Sequence, residues 1–317
     1  MGRYILRRLL QALPLLFAIS VASFAILKAT PGGPLAAYEG NPDFTEQDRL
    51  RLEQAFGLDR PLPVQYISWL GSFLTGDWGY SFAHHLPVLQ LIGERLPNTL
   101  TLMATVFVVV LLLAIPIGVM TALRQYSVFD HVVTGTTFTF LSTPTFWLGL
   151  LLIIVFGLQL RWLPLGGIQT PGMEFDVADR LKHLILPVAT ISLVQVGSHV
   201  RFLRASMLET IAQDYMRTAR AKGLAERIVV MRHALKNAAI PLVTVVALDI
   251  PELFVGALVT ESIFGWPGMG RLFLDAAFRA DYPVLQGILA VSSTLIVLSN
   301  LLADVAYGYL DPRIRYS

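Results

Sequence analysis

Six apolar stretches, each long enough to cross a bilayer, constrain this chain more than any other feature: residues 9–28, 99–123, 132–159, 184–204, 239–260 and 284–308. A spanning helix needs about 20 largely apolar residues to cross a hydrocarbon core about 30 Å thick. A mean hydropathy of +0.62 with only 15% charged residues leaves too few charges to cover a water-facing surface. The expected fold is therefore an all-α membrane protein with six transmembrane helices. Arg3, Arg7 and Arg8 ahead of the first run resemble a signal-peptide n-region. The apolar run behind them is, however, about 20 residues where an h-region has about 7–15, and no clean small-x-small site follows. The first run reads as an uncleaved span.

A net charge of +2 gives no electrostatic footprint for nucleic acid. Zero cysteines exclude disulfides, cysteine-ligated metals and thiol catalysis.

Lys and Arg collect in loops that stay in the cytoplasm, and their distribution orients the spans. Three Arg precede the first span, six Lys or Arg lie in 205–238 behind Arg201 and Arg204, and Arg313 and Arg315 close the chain. On the other side, 160–182 balances three basic against three acidic residues, and 261–283 sets Arg271 and Arg279 against Glu261, Asp275 and Asp281. The 123–131 loop, with Arg124, Asp130 and His131, is neutral on the question. Both termini are expected in the cytoplasm of a multi-pass cell-membrane protein. The chain then divides into residues 1–29 (N-terminal residues and first span), an external helical segment 30–98, a five-helix core 99–308 containing the cytoplasmic loop 205–238, and a tail 309–317.

Within 30–98, Thr45 followed three residues later by Asp48 reads as a capping box opening a helix that Gly57 closes. Val64, Ile67, Leu70, Phe73 and Leu74 keep helical spacing, and Leu89, Ile92 and Leu96 form a third short amphipathic stripe. Such a segment suits a cap lying on the membrane surface or a docking surface for an external partner.

The cytoplasmic loop is the most charged part of the chain. Between Tyr215 and Pro241 stand Arg217, Arg220, Lys222, Arg227, Arg232 and Lys236 against the single acid Glu226. Leu224, Ile228, Met231 and Leu235 recur on one helical face. Gly223 tolerates the left-handed backbone that ends a helix, which predicts two short helices meeting at a corner, the second running into the fifth span.

Those residues carry a resemblance. "ARAKGL", "HALKNA" and the following "IP" resemble the cytoplasmic loop of the dipeptide/oligopeptide/nickel branch of ABC-importer permeases. "RYILRRLLQALP", "PGGP" at 31–34, "GLDRPLPVQYISWL" at 57–70, "FWLGLLLI" at 146–153, "ESIFGWPGMGRL" at 261–272 and "LDPRIRY" at the end agree with it, in order, over nearly the whole chain. The resemblance implies a type I ABC-importer permease fold forming half of a translocation pathway. Its partners would be a second homologous permease, two cytoplasmic ATPase subunits, an external solute-binding protein and a peptide-like substrate. It also implies that the 209–236 loop is the coupling helix that docks on the ATPase, with Asp214, Tyr215, Arg217, Ala219, Ala221, Lys222, Gly223 and Leu224 as its contact residues. Gly223 stands at the family's motif glycine and Ala219 at its second alanine. Arg217 and Thr218 replace the motif's Glu and first Ala, and Leu235-Lys236 replaces a Leu-Pro, so a salt bridge from the motif glutamate is not carried over.

The chain has no Gly-Lys pair, hence no P-loop to cradle nucleotide phosphates. No Gly-x-Ser-x-Gly elbow or His-Glu-x-x-His pair occurs, and the His84-His85 dyad reads as surface. The expectation is a non-enzyme without cofactor, its ATP bound by partner subunits.

Asp249 and Glu252, with Pro251 between them, fall midway along the fifth run, and Asp304 late in the sixth. A charge at the centre of a lone helix costs about 2.5–3.5 kcal/mol on insertion scales, so such residues face a cavity or a partner. Asp249, Glu252 and Gln195 are the candidates for the translocation path; hydrogen bonding between helices is the other reading, also for Ser198 and His199. Pro116, Pro144 and Pro187 can kink their spans. The glycine-rich stretch at 261–283 suits a re-entrant gate, a receptor contact or a packed turn. The alternative function is a proton-coupled secondary transporter using Asp249 and Glu252, which leaves the Gly223 corner unexplained.

Overall fold

The computed structural model describes residues 2–29, 45–55 and 57–310, and among them the backbone is helical with one isolated bridge, Tyr80 to Pro87. The "PGGP" stretch and the last seven residues lie outside the described residues. In chain order the helices are α1 (Gly2–Ala29), α2 (Glu46–Ala55), α3 (Leu62–Leu74), α4 (Val88–Leu123), α5 (Val128–Leu141), α6 (Thr145–Leu152), α7 (Val177–Ile211), α8 (Asp214–Ala221), α9 (Glu226–Ile228), α10 (Lys236–Ile263), α11 (Met269–Phe278) and α12 (Tyr282–Leu310).

Four of the described helices are long and apolar enough to cross a membrane: α1 over Arg7–Ile26, α4, α7 and α12 over Tyr282–Leu302. A fifth crossing results if α5 and α6 with its extension count as one broken span. α10 has 28 residues, about 42 Å at about 1.5 Å per residue, and some of its side chains lie outside the described residues.

The centre of the bundle is the pair α4–α7. Leu102, Val106, Val110 and Ala114 interlock with Leu184, Val188, Ile191 and Val200, joined by Ala257 of α10 and Trp266. Small residues set the spacing. A Cβ at Gly118 would stand 3.1 Å from Leu203, and one at Gly197 3.1 Å from the Thr137 carbonyl. Lipid tails are as apolar as Leu, so close backbone approach of this kind rather than burial drives helices together in a membrane.

Two expectations are corrected. The run 132–159 is not one helix: α5 and α6 meet at 105°. Pro144 pushes Thr143 away from the α conformation, and its own φ of −58° with ψ 131° opens α6 instead of continuing α5. α6 then widens into a π-helical turn, Ile153–Gln159. Pro116 and Pro187, by contrast, sit inside unbroken helices. The Leu89–Leu96 stripe, expected as a short helix of its own, belongs to the first turns of α4, which runs 36 residues from Val88. Of the readings open for 261–283, the packed turn is the one that forms, followed by α11.

The capping box forms as expected. Thr45 Oγ1 accepts from the Asp48 amide at 3.2 Å and the Asp48 carboxylate accepts from the Thr45 amide at 3.2 Å. Gly57, at φ +63°, closes the far end. α3 docks on α1 through rings: Tyr66 lies 5.5 Å from Phe24 and 6.1 Å from Phe17, and its hydroxyl pairs with Ser20 at 2.7 Å. Trp69, Phe73 and Trp78 continue the stack toward the start of α4.

At that end of the bundle two carboxylates, each fully buried, pin the loops. Glu261 accepts from the Thr99 hydroxyl at 2.6 Å and from the Gly270 and Arg271 amides at 2.7 and 3.2 Å. It thereby caps α11 and ties that helix to α4. Glycine is required here, since a Cβ at Gly268 would land 2.1 Å from Glu261 Oε1 and one at Gly270 2.3 Å from the Leu258 Cα. Asp281 receives the Ser81 hydroxyl and the Phe82 and Ala83 amides, which holds the loop before α4 against the start of α12. Trp266 donates to the Asn98 carbonyl at 3.0 Å, and Gly167 to that of Phe264 at 2.7 Å. The loop 75–87 with the start of α4, the loop 160–176, and α11 with its flanking turns therefore share one end of the molecule.

Replacing Glu261 by Ala orphans one hydroxyl and two amides. Removing one partner from such a buried network costs about 3–5 kcal/mol, so Glu261→Ala should lower the unfolding midpoint of the detergent-solubilised protein steeply and Glu261→Gln less. Equal midpoints for all three forms in a thermal melt would contradict the clamp.

Candidate functional site: the Gly223 corner

The opposite end carries α8 and the turn behind it. α8 opens at Asp214 and ends at Ala221, and Gly223 follows at φ +74°, its amide donating to the Arg220 carbonyl at 2.9 Å. Nothing lies within 4 Å of a Cβ built there. The position demands glycine for its backbone alone, at about 1–2 kcal/mol for an L-residue in the left-handed region. α9 starts three residues later and passes through a π-helical stretch, Val229–Leu235, into α10. The corner and the continuous second arm are as the sequence predicts.

Met216 and Ala219 are buried against Val119 and Ala122 of α4, Leu203 and Met207 of α7, and Val229, Val230 and Ala234 of the second arm. These contacts connect α8 directly to the two central helices. A second connection lies beside it. Arg204 of α7 donates twice to Asp130 at the start of α5, both at 2.7 Å, and the Tyr126 amide adds a third bond at 3.0 Å. This pair puts the 124–131 loop, uninformative by charge, at the same end as α8. Guanidinium and carboxylate meet in the fork geometry that favours strong pairing.

Across the corner, Arg220 donates to Glu226 through Nε at 3.2 Å and Nη2 at 2.9 Å. Each partner holds the other charged: the Glu226 carboxyl lies below its ordinary value because Arg220 bonds it, and the Arg220 guanidinium lies above its own for the same reason. Both are exposed, so the pair staples the turn in water more than it stabilises the fold.

The expected contact residues split into two groups. Ala219 is buried and positions the helix; Asp214, Tyr215, Arg217, Ala221, Lys222 and Leu224 are exposed. Arg217 lies 3.7 Å from Asp214, both in open solvent. Of the apolar stripe, Leu224, Ile228 and Met231 are exposed while Leu235 packs partly buried against the core, and the arm is buried mainly through Val229, Val230 and Ala234. The π-helical winding changes the residue angle, which a regular 3.6-residue period does not anticipate. Tyr215 at 43% and Met231 at 54% exposure are open to solvent, as are the cations Arg217, Lys222 and Arg227.

Asp249 and Glu252 fall within α10, but their side chains lie outside the described residues, as does that of Asp304. Gln195 is half-buried in α7, and its carbonyl accepts from Ser198 Oγ at 2.8 Å and His199 Nδ1 at 2.9 Å. Sequence reasoning weighed Asp130, Glu261 and Asp281 only as loop charges, because their side-chain partners Arg204, Thr99 and Ser81 lie far away along the chain. Among the described residues no cluster of three metal-ligating side chains occurs.

The Arg220–Glu226 staple contributes fully above the ordinary glutamate value of about 4.3 and is lost as pH falls through the depressed one. The protection factors of amides across 222–228, each referred to the intrinsic exchange rate at the same pH, should therefore fall on acidification in the wild type. Glu226→Gln should show the lower protection already at neutral pH, with the core of α7 unchanged.

Two family models cover the chain. "Binding-protein-dependent transport system inner membrane component" matches residues 114–316, and the corresponding N-terminal model matches 1–103. The oligopeptide transport system permease protein AppB of Bacillus subtilis is 44% identical over 317 residues, covering all of both chains. The dipeptide transport system permease protein DppB of Escherichia coli K12 is 36% identical, covering all of this chain and 99% of its own. In structure, a chain of the MetNI methionine ABC transporter, captured in inward-facing conformations, matches with a TM-score of 0.58 at 15% identity, over 70% of this chain and 97% of its own, a likeness of fold alone. The chain belongs to the family of inner-membrane permease components of binding-protein-dependent ABC transport systems.

Proposed function

We propose that the chain is one permease subunit of an ATP-driven importer of di- or oligopeptides, and that α8 and the Gly223 corner receive the ATPase. The observation that carries the docking part is the two-sidedness of the corner. Its inner side is fixed to α4 and α7 through Met216 and Ala219, while its other residues expose both apolar side chains and cations. A surface anchored in this way transmits displacement, because packed helices move as units. ATP-driven closure of the partner subunits would push α8, and α8 cannot move without moving α4 and α7. The Asp130–Arg204 pair would carry the same displacement into the broken α5–α6 unit.

The remaining parts follow from the same reading. The bundle has six crossings, with α5–α6 and α10 completing the count. Both termini and α8 lie in the cytoplasm, and the end pinned by Glu261 and Asp281 faces outward toward a solute-binding protein. A second, homologous permease supplies the other half of the path, two ATPase subunits bind nucleotide, and this chain carries no cofactor of its own. The relatives named for oligopeptide and dipeptide transport support peptide as the substrate class. Asp249, Glu252 and Gln195 line the path, and Asp249→Asn with Glu252→Gln should alter transport rate or substrate preference.

Affinity purification of the tagged chain in mild detergent should bring down a second permease and P-loop ATPases. Leu224→Glu with Ile228→Glu changes only exposed positions and should keep the unfolding midpoint. It should also weaken ATPase retention at least about 30-fold, the loss of about 2 kcal/mol that a disrupted interface anchor produces. Full ATPase retention by this variant, or purification of the chain alone, would refute the assignment.

A further inference from the structure

A cavity of about 640 Å³ lies between the outer end of α1, the segment around α3 and the start of α12. It is peripheral. α1 touches the bundle along α12, and almost none of its Arg7–Ile26 stretch is buried within this chain, which puts it on the outside of the bundle. The cavity is therefore off any path through the α4–α7–α10 centre and next to the bilayer. α3 points the same way: Leu62, Val64, Ile67 and Leu74 are exposed on a short helix with no buried residue, as expected of one lying in the membrane interface. Trp69, Trp78, Tyr80 and Tyr282 on the cavity wall are the residue types that gather at that depth.

Among the described residues, two polar atoms in the wall lack a hydrogen-bonding or charged partner. Lys28, the last residue of the first apolar run, is half-buried, makes no ion pair among the described residues, and rests 5.6 Å from the Phe24 ring centroid. Gln65 donates its amide to the Leu58 and Arg60 carbonyls at 2.9 and 2.7 Å, which fixes Oε1 as an acceptor; that oxygen is buried with no donor. Of the other charged groups, Arg60 adds positive charge, His85 is exposed, and the exposed Asp77 accepts from the Gly79 amide at 3.1 Å.

We propose that this cavity binds the headgroup of a membrane phospholipid, its phosphate on Lys28 and a hydroxyl or amine of the headgroup on Gln65 Oε1. An ammonium in a low-dielectric wall gains most from an anion, and the orphaned acceptor requires a donor. Ethanolamine and glycerol headgroups supply both; choline, which has no N–H or O–H, supplies only the phosphate. Bound there, the lipid would join α1 to α3 and seat the external segment at the membrane surface. The reading does not depend on docking of an ATPase at α8.

The test is native mass spectrometry of the full-length chain, delipidated and then offered phosphatidylethanolamine, phosphatidylglycerol or phosphatidylcholine. Wild type and Lys28→Arg should each retain one ethanolamine or glycerol lipid, several-fold above the choline lipid. Lys28→Gln should lose most of that retention while α8-dependent copurification of ATPases stays intact, which separates this outcome from failure of the coupling assignment. Equal retention by Lys28→Gln, no preference over the choline lipid, or displacement of the lipid by inorganic phosphate or dialanine would overturn the proposal, the last by assigning the cavity to a soluble ligand.

Discussion

A carboxylate removed from water must find donors, and in this chain the donors are backbone amides that have no other partner. Glu261 takes the first amides of α11, and Asp281 takes those of the loop before α4. Both solve one problem twice over. At the membrane boundary neither the acid nor the amides can be left unsatisfied, and each unpaired group would cost several kcal/mol. Pairing them removes both costs and leaves short, stiff connections between long helices. Loops far apart in sequence thereby become one platform, and the orientation of α4, α10, α11 and α12 at that end is set by it.

The other end is built on the opposite plan. There the connections are held by apolar packing under α8 and by ion pairs, Asp130–Arg204 within the bundle and Arg220–Glu226 in solvent. Exposed pairs are weak and screened by salt, so the turn after α8 can open without disturbing the helices beneath it. One end is a fixed rim and the other a surface attached through side chains that move with α4 and α7.

How much of this was readable beforehand depends on whether a feature is local. The capping box at Thr45 and the glycine corner at 223 are consequences of a few adjacent residues, and they appear where expected. The break between α5 and α6 is also local, since Pro144 announces it, but a hydropathy window averages across 132–159 and hides a 105° bend inside an unbroken apolar run. The exposed stripe at Leu224, Ile228 and Met231 was legible as a stripe and not as a surface. Periodicity says which residues share a face, not whether protein or solvent covers it, and the π-helical stretch behind it shifts the buried set to Val229, Val230 and Ala234. The buried acids were beyond reach for a different reason. Glu261 meets Thr99 across 162 residues and Asp281 meets Ser81 across 200. No local pattern distinguishes an acid that will clamp a distant loop from one that will face water.

The glycines around Glu261 show how closely such a clamp constrains its neighbours. Gly268 and Gly270 have no room for a methyl group because the carboxylate and the α10 backbone occupy that space. Gly166 is confined by the Phe264 carbonyl at 2.3 Å in the same way. None of these three needs a left-handed backbone; the demand comes from proximity. Gly223 is the converse, with empty space around it and a backbone angle that excludes side chains. A methyl at Gly268 or Gly270 would push the rim apart, whereas one at Gly223 would only bias the turn. The two ends of the bundle thus use the same residue for opposite physical reasons, close packing where the structure must hold and free rotation where it must turn.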